Sequence, residues 1–188
     1  AEYVAGYRGL DGKADVFEAV LNLIENHGFA GTSSLIGRQK AVSQLHLGGG
    51  SPTFLSDEEL DGLMQRLRRD FNLVAGAEIS IEVDPRTATP DRLKRLAEMG
   101  FNRISFGIQD FDPAVQRAVN RIQSEEETRV VIDSARANGF VSVNADLIYG
   151  LPMQTLAGFS TTLDKVIAAS PDRIALYSYA HLPQRFKP

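Results

Sequence analysis

Three features of this 188-residue sequence predict an α/β fold, a partial (βα) barrel of parallel strands alternating with helices. Five apolar, β-branched runs stop abruptly in Gly, Pro or a polar side chain: LHLGGGSPT (45–53), EISIEVDPR (78–86), RISFGIQDF (103–111), NADLIYGLP (144–152) and LYSYAHLP (176–183). Between successive runs the apolar residues recur at helical spacing. The connections are short, which favours right-handed crossovers within one parallel sheet. An open doubly wound sheet fits the same alternation. The curved form is preferred because polar groups close every strand instead of gathering at one switch point.

The elements follow in order. Strands are expected at roughly 42–48, 78–83, 103–108, 141–148 and 174–179, the first and last forming the two edges of the sheet. Ser56 with Glu59 is a capping box, opening an amphipathic helix through Leu60, Leu63, Met64 and Leu67. Thr89-Pro90 places a capping hydroxyl before a helix-starting proline, with Leu93, Leu96 and Ala97 on the buried face and Gly100 as terminator. Asp112-Pro113 starts a short helix. Ser124 with Glu127 caps the next, which ends at Gly139, and the last runs from Thr155 to Ala169 before Ser170-Pro171. Residues 14–26 carry Phe17, Val20, Leu21 and Ile24 on one helical face, while 31–37 reads as a loop or a poor strand. The expected organisation is therefore an N-terminal helical segment over 1–40 and a barrel core over 41–188.

Composition narrows the function. Hydrophobic residues make up 43% and charged residues 23%, as in an ordinary globular protein. A formal net charge of −4 with no basic cluster argues against nucleic acid as a partner. No apolar run approaches membrane-spanning length, so no membrane role is expected and the cytoplasm is the default location. There is no Cys, which excludes disulfides and thiolate-held zinc or iron–sulfur clusters within these residues. With His27, His46 and His181 as the only histidines, no His-rich metal site is expected either.

Several strand ends carry candidate chemistry. Gly48-Gly49-Gly50-Ser51-Pro52-Thr53 lies between a strand and a capped helix, where close backbone approach and free N–H groups suit a carboxylate or phosphate. A tight turn without a ligand explains the same residues. The run lacks the Gly-Lys-Ser/Thr ending of a P-loop. Glu82 and Asp84, two apart on a strand, share a face, either to hold an ammonium or hydroxyls or to form a surface ion pair. Gln109 can donate and accept at once, as a ribose hydroxyl or an amino-acid carboxylate requires, or can be a satisfied buried amide. Asp146 sits among Ala145, Leu147 and Ile148, where a carboxylate needs a partner or a ligand. Arg121 alone would be a solvated loop residue. His46 reads as a core histidine with a backbone partner, and Tyr177 and Tyr179 as fillers of a sheet face.

Taken in order, GGGSPT, EVDPR, FGIQDF, VNRIQ, DLIYGLPMQT and YAHLP resemble the oxygen-independent coproporphyrinogen III oxidase family of radical S-adenosylmethionine enzymes, over about residues 38–188. The related haem-chaperone branch shares the glycine motif and the GLP turn, but EVDPR and YAHLP are closer to the oxidase branch. The resemblance implies that Gly49, Gly50 and Ser51 meet the amino-acid end of S-adenosylmethionine, Ser51 standing where Thr is usual. It implies that Glu82 holds the same cofactor and that Gln109 and Arg121 lie near its carboxylate and ribose. Asp146 would bind the ribose, and Ile148 with the backbone of Ala180 would border the adenine. The implied reaction is reductive cleavage of S-adenosylmethionine by a 4Fe–4S cluster. The deoxyadenosyl radical then takes hydrogen from a propionate side chain, and two such oxidative decarboxylations turn coproporphyrinogen III into protoporphyrinogen IX. The family's cluster hangs on a CxxxCxxC loop that has no match here, so the chain is identified as a core barrel fragment, or a cluster-less derivative, of such an enzyme, expected to be inactive alone. The implied partner is a small-molecule tetrapyrrole, and a monomer able to self-associate through its sheet edges is expected. The alternatives are a non-catalytic haem- or tetrapyrrole-binding module on the same barrel, or a chain that merely folds.

Overall fold

A computed structural model of the chain describes residues 41–49 and 51–180. The helix expected over 14–26, the segment 31–37, Gly50 and His181 lie outside the described residues. Contacts divide the chain into two compact units, Ala1–Leu45 with Thr53–Glu78, and His46–Pro52 with Ile79–Pro188.

The described elements alternate as expected. They are β1 (Ala41–Leu47), a short 3-10 turn (Pro52–Phe54), α1 (Asp57–Asp70), β2 (Asn72–Val83), α2 (Pro90–Glu98), β3 (Arg103–Gln109), α3 (Pro113–Ala118), α4 (Glu125–Ala137), β4 (Ser142–Tyr149), α5 (Leu156–Ala168) and β5 (Arg173–Ser178). The five strands form one sheet in the order β1-β2-β3-β4-β5, and β2 through β5 pair in parallel. Each strand thus lies beside its predecessor in sequence. A doubly wound sheet reverses direction at a switch point, and this order has none, which selects the barrel-type winding. Among the described strands β1 and β5 are the edges, as the sequence suggested.

Local sequence chemistry sets the helix ends. In the first unit, Ser56 Oγ accepts the Glu59 N–H at 3.2 Å while Glu59 Oε2 accepts the Ser56 N–H at 2.6 Å. That capping box starts α1, whose Leu60, Leu63, Met64 and Leu67 are buried. In the second unit Thr89 caps α2, Asp112 caps α3, Ser124 and Glu127 form a second capping box at α4, and Thr155 caps α5. The repeated Gly-Phe pair is a helix stop. Gly100 and Gly139 adopt φ of +92° and +89°. Phe101 and Phe140 then donate their N–H groups back to Leu96 and Ala135 at 3.1 and 3.2 Å. This Schellman arrangement needs glycine at the left-handed position and buries the following aromatic ring, and Phe101 and Phe140 are both buried.

One boundary differs from expectation. β2 begins at Asn72, not near residue 78, because Gly76 (φ +76°) interrupts the apolar pattern without ending the strand. Tyr177 and Tyr179, expected to fill a sheet face, are exposed because β5 is an edge strand with no described neighbour on its far side. No described helix is long and apolar enough to cross a membrane.

In the second unit the core is built from alternate residues of the inner strands. Ile79, Ile81 and Val83, then Ile104, Phe106 and Ile108, then Val143, Ala145 and Leu147 are buried, together with Leu93 and Leu96 of α2 and Val131 and Ile132 of α4. Phe106 is 0% exposed at the middle of β3. Truncating it removes apolar area and leaves a cavity that neighbouring β-strand backbones cannot close. Phe106→Ala should therefore lower unfolding stability by about 3–5 kcal/mol, measured by urea denaturation against the parent chain.

Candidate functional site

The faces of β2, β3 and β4 opposite the core are mostly polar, because towards the carboxyl ends of these strands every second residue is polar or glycine, with Ile148 the exception. Ser80, Glu82 and Asp84 follow one another on β2 and its end, Ser105, Gly107 and Gln109 on β3, and Asn144, Asp146 and Ile148 on β4. Register then makes neighbours of residues distant in sequence: Glu82 pairs with Ser105, Ser105 with Asn144, and Gly107 with Asp146.

At the carboxyl ends of these strands Ser51, Glu82, Val83, Asp84, Gly107, Gln109, Arg121 and Asp146 line one open cavity. Six of the residues singled out from sequence meet there: Ser51, Glu82, Asp84, Gln109, Arg121 and Asp146. Gly49 is tied to them, since its N–H donates to Glu82 Oε2 at 3.3 Å in a left-handed turn (φ +85°). Gly48 leaves room for two side chains. A β-carbon there would lie 2.5 Å from His46 Nε2 and 2.7 Å from Glu82 Oε1. Ile148 shares the Asp146 face of β4 but does not line the cavity, and Ala180 is exposed outside it. Gly50 lies outside the described residues.

His46 corrects its sequence reading. Its ring is exposed, not in the core, and contacts Ser80 Oγ at 2.8 Å through Nδ1 and Glu82 Oε1 at 3.3 Å through Nε2. The reason is parity: His46 falls on the polar face of β1 with Gln44, which itself donates to Glu78 at 3.1 Å. Glu82 is thereby held against the glycine turn by a side chain and a backbone N–H.

Asp146 is partnered on both oxygens. The Ser105 hydroxyl donates to Oδ2 at 2.6 Å and the Asn144 amide to Oδ1 at 2.6 Å, while that amide also reaches Ser105 Oγ at 2.7 Å. Burial raises the Asp146 carboxyl above its ordinary value. The Ser105 bond opposes this, the Glu82 charge adds to it, and Asn144 and His46 pull it back. The Asp146 charge in turn raises the Tyr177 phenol on β5, with smaller contributions from burial and Glu82. A carboxylate strained upward in this way gains from further donors such as ligand hydroxyls.

Asp84 is the member whose role the sequence left open, and it turns out to be an ionic bridge. Its carboxylate accepts Arg86 Nη2 at 2.6 Å and Nε at 3.0 Å, and lies 3.2 Å from Arg121 Nη2. Burial acts to raise the Asp84 carboxyl, but the side-chain and backbone bonds from Arg86 and the charges of Arg121 and Arg86 outweigh it and hold it below its ordinary value. Burial lowers the Arg121 guanidinium and the Arg86 charge adds to this, while Asp84 opposes both. Arg121 Nη2 also donates to the Gly107 carbonyl at 2.7 Å. Gly107 leaves the room these groups occupy: a β-carbon there would sit 2.8 Å from Gln109 Nε2 and 3.1 Å from Arg121 Nη2.

Two atoms of this cluster are buried without a hydrogen-bond partner, Gln109 Oε1 and Arg121 Nε. One is an acceptor and the other a donor on a cation. A ligand offering both a donor and an anionic acceptor satisfies the pair. Ser105, Asn144 and Gly107 were not selected from sequence as site residues. The signal that finds them is the alternation itself, which puts each in phase with Gln109 or Asp146.

Comparison with known proteins fits this arrangement. The family model for the radical SAM superfamily matches residues 33–166. The chain belongs to the radical SAM superfamily. It is 51% identical over 155 residues to the oxygen-independent coproporphyrinogen III oxidase of Pseudomonas aeruginosa, covering 81% of this chain and 34% of that protein. It is 52% identical over 145 residues to the Escherichia coli protein of the same name, covering 77% and 32%. The solved structure of coproporphyrinogen III oxidase from Escherichia coli, a radical SAM enzyme, superposes with a TM-score of 0.85 at 45% identity, over 94% of this chain and 40% of that one. An archaeal Elp3 from Methanocaldococcus infernus shares the fold at a TM-score of 0.64 and 16% identity. The chain thus spans about a third of the length of the curated relatives it matches. Its fold is the superfamily's partial (βα) barrel. The superfamily's cofactors are S-adenosylmethionine and a 4Fe–4S cluster, and these 188 residues include no cysteine to ligate the cluster.

The Asp84 bridge makes a pH-dependent prediction. A carboxyl whose folded pKa is depressed contributes stability above its unfolded value, and that contribution disappears as pH falls through the folded value. Asp84→Asn should be less stable than the parent at pH 7, with the difference shrinking below the ordinary value of 3.8. Urea unfolding of both chains at pH 7 and pH 3 measures it. An undiminished difference at pH 3 would show that the bridge acts through packing and not through charge.

Proposed function

We propose that the cavity binds S-adenosylmethionine and that this chain is the core of an oxygen-independent coproporphyrinogen III oxidase. The observation that carries the reading is the unsatisfied pair, Gln109 Oε1 and Arg121 Nε, on residues that line the same cavity as Glu82 and Asp146. An amino acid joined to a ribose offers a partner to each of these four groups: a carboxylate for Arg121, an ammonium for Glu82, and hydroxyls for Gln109 and Asp146. Gly49, Gly50 and Ser51 supply close backbone approach for the amino-acid end. Ile148 and the Ala180 backbone border the adenine.

In this reading the chain's residues bind and orient. Glu82, fixed by His46 and the Gly49 N–H, offers a carboxylate oxygen to the ammonium at the mouth of the glycine turn. Arg121, anchored through Nη2 to Asp84 and the Gly107 carbonyl, keeps Nε for the carboxylate. Asp146, fixed by Ser105 and Asn144, accepts from the ribose. In the family the bound cofactor supplies a hydrogen-abstracting radical for decarboxylation of a tetrapyrrole propionate, and the protein contributes placement. The residues do not fit the cluster. The chain lacks thiolates, and the described residues contain no group of three His, Cys, Asp or Glu able to hold a metal ion. No step is assigned to it, and the chain by itself is inactive in coproporphyrinogen oxidation.

Calorimetric titration with S-adenosylmethionine tests the reading. Binding should be weak. Asp146→Ala, by removing the ribose acceptor, should weaken it by about tenfold, the value of one good ligand hydrogen bond. Gly107→Ala should do the same by displacing Gln109 and Arg121, while Lys165→Ala, a surface change, should leave binding alone. Equal affinity for parent and Asp146→Ala would remove the ribose contact from the proposal. Anaerobic reconstitution with iron and sulfide should give no iron–sulfur absorbance, because thiolates hold such clusters. Stoichiometric bound iron and sulfide would overturn the assignment of inactivity.

A further inference from the structure

Asp110 follows Gln109 in sequence and is 1% exposed, yet it touches none of the groups assigned above. Its carboxylate is a hub. Oδ1 accepts the Thr162 hydroxyl at 2.6 Å and the Asp112 N–H at 2.7 Å, and Oδ2 accepts Gln154 Nε2 at 2.5 Å. Thr162, itself 1% exposed, uses the same oxygen to accept the Phe111 N–H at 3.1 Å. The Gln154 amide carries the connection to β4: its Nε2 also donates to the Ile148 carbonyl at 2.9 Å, and its Oε1 accepts the Gly150 N–H at 2.6 Å. The main-chain carbonyl of Asp110 accepts Gln116 Nε2 at 2.9 Å. Gln116 in turn brackets the loop bearing Arg121, through 2.7 Å and 3.1 Å bonds to the Gln123 backbone and a 2.8 Å bond from the Arg121 N–H to its own carbonyl.

The residue that needs this anchoring is Gln109. It has φ of +67°, a left-handed conformation unfavourable for a side chain with a β-carbon, and it sits where the β3–β4 register slips after Gly107. Such a conformation persists only where the surroundings over-determine it. We propose that Asp110 is a positioning residue. It holds Gln109 in its left-handed, cavity-facing conformation and, through Gln154, fixes the end of β4 at Ile148–Gly150 relative to the end of β3. This inference rests on the reading of the cavity as an S-adenosylmethionine site, and it explains why the β3 end carries Gln-Asp and the β4 loop carries Gln154.

The chemistry of the hub supplies a discriminating experiment. In Asp110→Asn the side-chain oxygen takes the place of Oδ1, which has two donors, and the new amide N–H₂ faces Gln154 Nε2, donor against donor. Gln154 can turn its amide over, but it then presents N–H₂ to the Gly150 N–H and loses the Ile148 carbonyl. Adding Gln154→Glu restores an acceptor for both the new amide and the Gly150 N–H, while giving up the bond to the Ile148 carbonyl, which a carboxylate cannot make. The parent chain, Asp110→Asn and the Asp110→Asn/Gln154→Glu pair would be compared by amide hydrogen exchange at Gly150, by the NMR signal of the Gln109 side-chain amide, and by S-adenosylmethionine titration. Asp110→Asn should speed Gly150 exchange, move the Gln109 amide signal and weaken binding by about tenfold, as misplacing one ligand group does. The second change should recover the Gly150 exchange and part of the affinity, the Ile148 carbonyl remaining without its Gln154 donor. A purely stabilising role would lower the melting temperature alone, and an unmoved Gln109 signal with unchanged affinity in folded Asp110→Asn overturns the proposal. If Asp110→Asn does not fold, Gln154→Met cuts only the β4 arm and should loosen Gly150 and weaken binding in the same sense, its failure to do so being equally decisive. Absence of S-adenosylmethionine binding in the parent would defeat the cofactor reading, leaving the ligand-free Gly150 and Gln109 signals to decide the positioning role.

Discussion

The strict two-residue alternation of β2, β3 and β4, locked by parallel register, is the constraint on which the rest of this structure depends. On a pleated strand successive side chains point to opposite faces, so one face can be committed wholly to the core and the other wholly to polar chemistry. Ile81, Phe106 and Ala145 go one way while Glu82, Ser105 and Asp146 go the other. A slip of one residue would turn Glu82 or Asp146 into the core and Ile81 or Leu147 out of it, and in β3 would exchange Phe106 for Ser105. The register is therefore specified by the same burial that stabilises the unit. Because the paired strands are parallel, their carboxyl ends lie on one side, and the loop residues that follow add to a single cavity.

Within that cavity the dominant problem is charge. Glu82, Asp84 and Asp146 bring three carboxylates close together, and Arg86 and Arg121 bring two cations. The structure divides them by function. Asp84 is spent on the two guanidiniums, which would otherwise repel each other, as the Arg86 charge acting on Arg121 indicates. Glu82 and Asp146 are instead held by neutral donors or by a histidine at hydrogen-bond distance, and so keep capacity for a ligand. Glycine completes the design at two points, Gly48 under Glu82 and Gly107 under Gln109 and Arg121, where a β-carbon would occupy space already taken by functional heads.

Much of the fold was legible in the sequence because its signals are local. Both capping boxes, the proline-led helix starts and the Gly-Phe stops appear where the sequence places them, since a cap needs only residues three or four apart to find one another. The early start of β2 was not legible, because Gly76 breaks the apolar pattern without breaking the ladder. The site was partly legible. Asp146 announced itself as a carboxylate among aliphatic residues, and the glycine run as a close-approach turn. His46 was misread because a lone histidine in an apolar run carries no sign of which face it occupies. Asp84 and Arg121 could not be paired from sequence, since nothing local joins a strand end to a loop after α3.

The sequence by itself determined the alternating α/β order, the helix boundaries, the polar character of every strand end and the impossibility of a thiolate-held cluster within these residues. These are properties of composition and short-range pattern. The tertiary structure decided which polar residues are neighbours: Glu82 against His46 and Gly49, Asp84 between Arg86 and Arg121, Ser105 and Asn144 on Asp146, and Asp110 reaching Thr162 and Gln154. Each of these contacts, apart from the local Arg86–Asp84 and Asn144–Asp146 pairs, depends on strand register or on the return of a helix to the sheet. Register is set by the summed burial of whole strands and helices, so no window of sequence contains it.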